Sequence, residues 1–413
     1  MGLANTDFDV VIVGGGAAGI GAARRLASSG LSTLLLEAGS RLGGRAWTQE
    51  IAGLPLDLGC GWMHSADKNA WVTIASDAGV PIDRSRAAWG TQYRDLGFTP
   101  AEQAAAHADF EGWMRRLPAM CKTTDRASDA LDPKNPWNTF VRAIVGFISG
   151  GQLEQMSATD YLAYDEASTE SNWRSPLGLG ALIAGSFPAG VALRLATPVQ
   201  AIGLEGPGVT VATPRGTLRA RAALLTVSTA VLAGESITLP VQLDPWREAA
   251  KLLPLGHNEK LFLEIVGDAP FEKEHQVLGN PRASCTGSYY LRPLDLPVVE
   301  CFLGGESAQL AQEQGTAAAF AFAHDQLAAL FGADIRGKLR PLLASAWGRT
   351  VHVGGAYSYA LPGQAGARRA LARPFEQRLF FAGEATHVDE FSTAHGAHDS
   401  GVRAADEVIA ALA

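Results

Sequence analysis

The stretch Asp9–Gly39, DVVIVGGGAAGIGAARRLASSGLSTLLLEAG, decides the fold. Val10 to Val13 form a continuous apolar run, the pattern of a parallel strand covered on both faces. Gly14, Gly16 and Gly19 follow at the spacing G-x-G-x-x-G. The residues behind them, with Ile20, Ala23 and Leu26 on one face, predict a helix from Gly16 to Ser29 that Gly30 ends. Leu34 to Leu36 predict a second buried strand, and Glu37 closes it. This is a βαβ unit. In such a unit the first glycine permits the tight turn, the second lets a pyrophosphate touch backbone, and the third lets helix and strand pack closely. The helix N-terminus then faces the phosphates with free amides and the positive end of its dipole. Glu37, 18 residues beyond Gly19, is placed to accept hydrogen bonds from both ribose hydroxyls of an adenosine. The stretch predicts a dinucleotide site but does not separate NAD from FAD.

Working outward, Arg41-Leu42-Gly43-Gly44-Arg45 sets a glycine pair between two arginines. That pattern suits backbone laid against a ligand, with cations near its oxygens. From Thr99 to Leu182 alanine and charged residues alternate at helical spacing, with Trp113, Trp137 and Trp173 among them. A mostly helical insertion is expected there, broken at Pro118, Pro133, Pro136 and Pro176. Residues 191–227 predict successive short strands, with turns at Gly206-Pro207-Gly208 and Pro214-Arg215-Gly216. Between Leu243 and Pro374, strands such as Glu259–Gly267 mix with a helix near Thr316–Phe331. Gln377–Ala385 is an apolar strand ending in glycine, and His395–Ala413 is a closing helix.

Composition narrows the classes. With 413 residues, 47% of them hydrophobic, the chain can bury sizeable cores. Its net charge of −8 and lack of a basic run exclude nucleic acid and anionic membrane as expected partners. Cys60, Cys121, Cys285 and Cys301 form no CxxC pair and no metal-ligand spacing, so ordinary thiols in a reducing, cytoplasmic setting are expected, and no metal. No apolar run is long enough to span a bilayer and no secretory signal is evident. Gly2 and Thr6 match a lipidation pattern only weakly.

Six segments in order carry a family resemblance: VIVGGGAAGIGAARRL, LEAGSRLGGRAWT, DLGCGWMH, LGHNEKLFLEI, GGAYSYALPG, and LFFAGEATH followed by STAHGAHDSGVRAA. The chain resembles the flavin amine oxidases, which include monoamine and polyamine oxidases. The resemblance implies an α/β fold with a discontinuous Rossmann-like FAD-binding domain, an α+β substrate domain and a mostly helical insertion. The expected boundaries are FAD-binding parts at 1–87, 191–240 and 373–413, a helical part of the substrate domain at 88–190, and its mixed sheet and helix at 241–372.

Carried over residue by residue, the resemblance implies FAD against Gly14, Gly16, Ala17, Ala18, Gly19, Glu37, Ala38, Arg41, Gly44, Arg45, Gly61, Trp62, Val199, Gly383, Glu384, His395 and Ala397. Glu37 would hold the ribose, the Val199 backbone the adenine, and Glu384 the ribityl or phosphate region. Lys260 matches the lysine that holds a water beside flavin N5. Burial is expected to disfavour its charged form. Tyr357 matches one wall of an aromatic substrate cage, and Thr393 stands where monoamine oxidases carry the second tyrosine. Trp62 and His64 match a segment at the reacting face. His64 either seats a cationic substrate or is a structural histidine. Ala356 stands in place of the cysteine that bonds to flavin in monoamine oxidases, so FAD is expected to be non-covalent.

The implied reaction is hydride transfer from the α-carbon of a small amine to flavin N5. The imine product hydrolyses, and O₂ reoxidises the flavin with H₂O₂ formed. Competing expectations are an amino-acid oxidase using Arg94, Arg142 or Arg292 for a carboxylate, a C–C desaturase, and a non-catalytic flavin-binding regulatory protein.

Overall fold

Fourteen strands can be followed in the computed structural model, which describes residues 6–204 and 206–413; Gly2 lies outside them. In chain order they are β1 (Phe8–Val13), β2 (Thr33–Leu36), β3 (Thr48–Ile51), β4 (Leu54–Asp57), β5 (Ala192–Arg194), β6 (Ala201–Gly203), β7 (Val209–Thr213), β8 (Gly216–Leu225), β9 (Asn258–Ile265), β10 (His275–Leu278), β11 (Gly287–Leu291), β12 (Val298–Gly304), β13 (Leu339–Ala344) and β14 (Leu379–Phe381).

The first sheet runs β5-β2-β1-β8-β7-β6, and β14 also pairs with β8. The pairs β1·β2, β1·β8, β2·β5 and β14·β8 are parallel, while β6 and β7 add an antiparallel margin. Three separate stretches of chain therefore meet in one sheet. The apolar run in β1 follows from its place. Val10 and Ile12 pack with Leu35 and Leu224 on one face, and Val11 and Val13 pack with Leu34 and Leu225 on the other. The first helix (Ala17–Leu26) and the closing helix (Ala394–Leu412) cover one face. These helices touch backbone to backbone: a Cβ on Gly401 would lie 2.0 Å from the Ala18 carbonyl oxygen. The first helix is shorter than expected. It ends at Leu26, and Gly30, at φ +78°, lies in the turn beyond it.

The second sheet, β10-β11-β12-β9-β13, is antiparallel throughout. Leu261 and Leu263 of β9 join Val299, Cys301 and Leu303 of β12 in a core covered by the helix Thr316–Phe331. Alternation then places Lys260 and Phe262 on the opposite face. Between β4 and β5 in sequence lie helices Pro100–Met120, Asn138–Ser149, Ala158–Ala167 and Leu179–Gly185. A capping box of Thr99 and Glu102 starts the first of them. Pro118 does not break that helix; it sits in the last turn, and the helix stops at Met120. No helix among the described residues is long and apolar enough to cross a membrane.

One buried ion pair joins this helical region to the chain near the first sheet. Asp160 lies in the first turn of Ala158–Ala167, and Arg368 lies on the short helix Ala367–Leu371. Arg368 binds Asp160 through two hydrogen bonds, Nε to Oδ1 at 2.6 Å and Nη2 to Oδ2 at 2.8 Å. The side chains are 1% and 3% exposed. The guanidinium also lies 3.4 Å from the Phe391 ring centroid. Removing one partner strands a buried charge. Asp160→Ala is therefore expected to destabilise the protein by about 3–5 kcal/mol. Denaturant unfolding measures this, and a loss typical of an exposed ion pair, under about 1 kcal/mol, would contradict it.

Candidate active site

The turn after β1 is built for close approach. Gly14 has φ +111°, and a Cβ there would lie 2.6 Å from Thr226 Oγ1. A Cβ on Gly19 would lie 1.9 Å from the Gly14 carbonyl oxygen. Gly16 differs, because nothing lies closer than 3.9 Å to its missing Cβ. It caps the first helix without any side-chain hydrogen bond, and no acidic residue sits in the first turn, which includes Ala17 and Ala18. An open backbone cradle before a helix N-terminus suits a phosphate. The second glycine pair leans on this turn: the Gly43 amide donates to the Gly15 carbonyl at 2.8 Å, and Gly44 faces the Gly16 Cα. Glu37 accepts from the Gly15 amide at 2.6 Å and the Gly39 amide at 2.7 Å, with Ala38 between. It therefore sits at the mouth of the cradle. Arg41 turns inward instead, donating to the carbonyls of Leu42, Gly44 and Ala46 and lying over the Trp47 ring. Its guanidinium cross-links its own loop.

Arg45 reaches the far end of the chain. Its Nη1 pairs with Glu384 Oε1 at 2.9 Å and also donates to the Ala356 carbonyl. Glu384 follows Gly383 just after β14 and is buried. Its oxygens accept from Ser358 Oγ at 2.7 Å and the Ser392 amide at 3.0 Å. Burial pushes this carboxyl up, but Arg45, Arg368 and the hydrogen bonds outweigh it and hold it below the usual range. Val199 is buried, and its backbone takes part in no hydrogen bond among the described residues.

Lys260 opens onto a separate cavity, also lined by Asp57, Gly61, Trp62, Arg174, Phe262, Tyr290 and Glu300. The Ser345 hydroxyl and amide clamp the Lys260 backbone, each at 2.8 Å. Its ammonium passes over Gly61, whose missing Cβ would lie 3.2 Å from Nζ, and pairs with Glu300 Oε1 at 2.9 Å. This corrects one expectation. Burial alone would push the ammonium pKa down, but Glu300 and Asp57 outweigh it, and the value lies above the ordinary lysine range. Asp57 is itself fully engaged, by Thr48 Oγ1 at 2.5 Å and the amides of Leu179 and Gly180 at 2.9 and 3.1 Å. Its carboxyl is pushed up by burial. Burial and the Asp57 charge push the Cys60 thiol up to about 12, so it stays protonated.

Beside the lysine stands an aromatic group. Trp62 packs edge-on to Trp89 at 4.6 Å and near Tyr290 at 6.2 Å. Arg174 lies over both Trp62 and Tyr290 while pairing with Asp83 at 2.8 Å and Glu274 at 2.7 Å. His64 stacks obliquely on Trp89, and its Nδ1 meets Asn172 Oδ1 at 2.7 Å. Burial pushes His64 down, so it is neutral and its Nε2 is an acceptor. His395, on the closing helix, accepts from Asn69 Nδ2 at 3.3 Å. Burial drives it down to about 4.

Two residues stand apart from the cavity. Tyr357 does not line it; the Tyr357 hydroxyl donates to the Phe147 carbonyl at 2.9 Å. Thr393 is the N-cap of the closing helix, bonding the Gly396 amide and Glu390 carbonyl at 2.9 and 2.6 Å. Its hydroxyl is fixed there by capping. Ala397 is buried on the same helix. Sequence reasoning missed Glu300, Asp57, Arg174, Trp89 and Tyr290. The one available signal was the two-residue alternation, which puts an acid at Glu300 on the face of Lys260 once the β9·β12 register is known.

The sequence profile of the family described as flavin containing amine oxidoreductase matches residues 17–409. Polyamine oxidase 4 of Oryza sativa subsp. japonica is 27% identical over 96% of this chain and 88% of its own length. Polyamine oxidase 2 of Arabidopsis thaliana is 27% identical over 96% and 87%. A pseudooxynicotine dehydrogenase of Pseudomonas sp is 49% identical, but over only 17% of this chain and 14% of its own.

The neutral buried His395 gives a pH signature. Its folded pKa lies below that of the unfolded chain, so unfolding takes up a proton between about pH 6.5 and about 4. Its contribution is present above about pH 6.5 and is lost as the pH falls towards 4. His395→Asn is expected to remove a slope approaching about 1.4 kcal/mol per pH unit from that window. Unfolding curves of both proteins across it test this, and parallel curves would contradict it.

Proposed function

This chain belongs to the flavin-containing amine oxidoreductases, and we propose that it is an FAD-dependent oxidase of a small amine, with a discontinuous Rossmann-like FAD domain built on the mainly parallel sheet. One observation carries the reading. A single short segment joins the cofactor loop to the buried lysine: Gly59 abuts Arg45, its missing Cβ 1.7 Å from that carbonyl, and Gly61 abuts Lys260 Nζ. A dinucleotide along the glycine cradle would then carry its far end towards the ammonium.

The donor set fits FAD. The uncapped helix at Gly16 and the open Gly16 Cα suit the pyrophosphate, Glu37 the ribose, and the unpaired Val199 backbone the adenine. Glu384 is not an acid left bare near phosphate, because Arg45 and Arg368 neutralise it. Ala356 offers no sulfur for a covalent bond, so FAD is held non-covalently. Bound there, the flavin supplies the electron sink at N5, with O₂ as final acceptor and H₂O₂ as product. Lys260 orders water and holds a proton beside the reacting atoms. Trp62 lines the lysine cavity and presents a ring that orients the amine and favours positive charge as the imine forms, whereas Tyr357 lies outside that lining. His64 Nε2 accepts a hydrogen bond from the substrate.

An amino-acid oxidase needs a free cation for the carboxylate. Arg94, Arg142 and Arg292 pair with Glu272, Glu154 and Asp295, and none lines the lysine cavity. Arg174 does line it but is matched by two carboxylates. This favours amines over amino acids.

Anaerobic addition of monoamines and polyamines to the purified yellow protein is expected to bleach the flavin, with amino acids ineffective. A flavin that stays oxidised with every amine would overturn the proposal. Acid precipitation is expected to release FAD into the supernatant; colour retained in the pellet would refute non-covalent binding.

A further inference from the structure

We propose that Glu300 is a positioning residue that holds the Lys260 ammonium charged and directed along the cavity wall. This rests on the reading of Lys260 as the group beside the reacting centre.

The geometry carries the proposal. Glu300 and Lys260 sit on neighbouring antiparallel strands, β12 and β9, with Glu300 opposite Phe262 and Phe302 opposite Lys260. All four side chains share one face, so Glu300 is the diagonal neighbour of Lys260. The Nζ–Oε1 distance is 2.9 Å, and the two side chains are 9% and 21% exposed. Other charges act on this ammonium from each packed element. Asp57 of β4 is the second acid, but its oxygens are taken by Thr48, Leu179 and Gly180. Cys60 remains a thiol, and His64 is neutral. Arg174, on the same cavity wall, is matched by Asp83 and Glu274. Glu300 alone bonds Nζ directly among the described residues. A buried ammonium without its counter-ion loses its proton more easily. Glu300 is therefore the acid in direct contact that keeps Lys260 a cation at alkaline pH, with Asp57 acting from further away.

The test uses the flavin-loaded protein and needs no amine. The flavin is reduced with dithionite and mixed with O₂, and reoxidation is followed from about pH 7 to about pH 10, the window below the ordinary lysine pKa. The unmodified protein is expected to show a flat profile. Glu300→Gln is expected to keep its rate near pH 7 and lose it towards pH 10, because a one-unit fall in the controlling pKa moves the alkaline limb about one pH unit lower. Glu300→Asp, which keeps the charge, restores much of the alkaline limb. In Lys260→Met, adding Glu300→Gln changes nothing further. A Glu300→Gln profile that superimposes on the unmodified one overturns the proposal, as does equal slowing of Lys260→Met by Glu300→Gln. If Glu300→Gln alone does not fold, the double variant with Lys260→Met, which strands no cation, is expected to recover folding; a double variant as unstable as the single overturns the pairing. A protein that binds flavin but is inert to amines still reports on Glu300, so failure of the amine reading is separable.

Discussion

The Gly43 amide meets the Gly15 carbonyl at 2.8 Å, and Gly19 lies where any Cβ would strike the Gly14 carbonyl oxygen. These backbone contacts set the position of nearly everything else in the site. They fix the first helix against β1, hold the Arg41–Arg45 loop against the turn, and so decide where Arg45 can reach. Such an approach is open only to residues without a side chain. An added methyl would separate the segments and leave backbone groups unpaired, a larger penalty than the small helix-propensity gain of alanine. The small interface repeats at Gly401, where the closing helix crosses the first, so both ends of the chain converge on one turn.

Around that frame, three ion pairs draw their partners from distant segments. Arg45 meets Glu384, Arg368 meets Asp160, and Lys260 meets Glu300. Apolar cores tolerate repacking, but a buried ion tolerates only its partner, because an unpaired one costs several kcal/mol. Each pair therefore pins a register that hydrophobic burial alone leaves loose. Ser358 bonds both Glu384 and Arg368, which connects the helical region to the Arg41–Arg45 loop through Asp160, Arg368, Glu384 and Arg45 in turn. The same rule explains Lys260. Burial pushes it towards neutrality, yet two acids reverse the sign, and the group is a fixed cation rather than a base.

Much of the fold was legible. The apolar run of β1, the glycine spacing and the acid after β2 are local signals, and the structure reproduces them within a few residues. The helix Thr316–Phe331 matches its expected span. Less local features were not legible. Pro118 punctuated its helix by ending it rather than breaking it. Thr393, read from its place opposite Tyr357, proved to be a helix cap, and an N-cap threonine is recognisable only once the helix start is known. Arg41 stood beside a ligand-binding pattern, but its hydrogen bonds run to its own loop.

The sequence by itself determined the βαβ start, the glycine cradle with its acid, the family of the chain, and a buried lysine at the start of a β-strand. These are written in residue identity at fixed short spacing, which a linear reading can follow. Tertiary structure alone decided which charges face one another. Glu300 lies 40 residues from Lys260 in sequence but 2.9 Å away in space, because strand register and two-residue alternation bring them to one face. That register is set by side-chain packing across the whole sheet, and so the charge state of the lysine belongs to the fold and not to the motif.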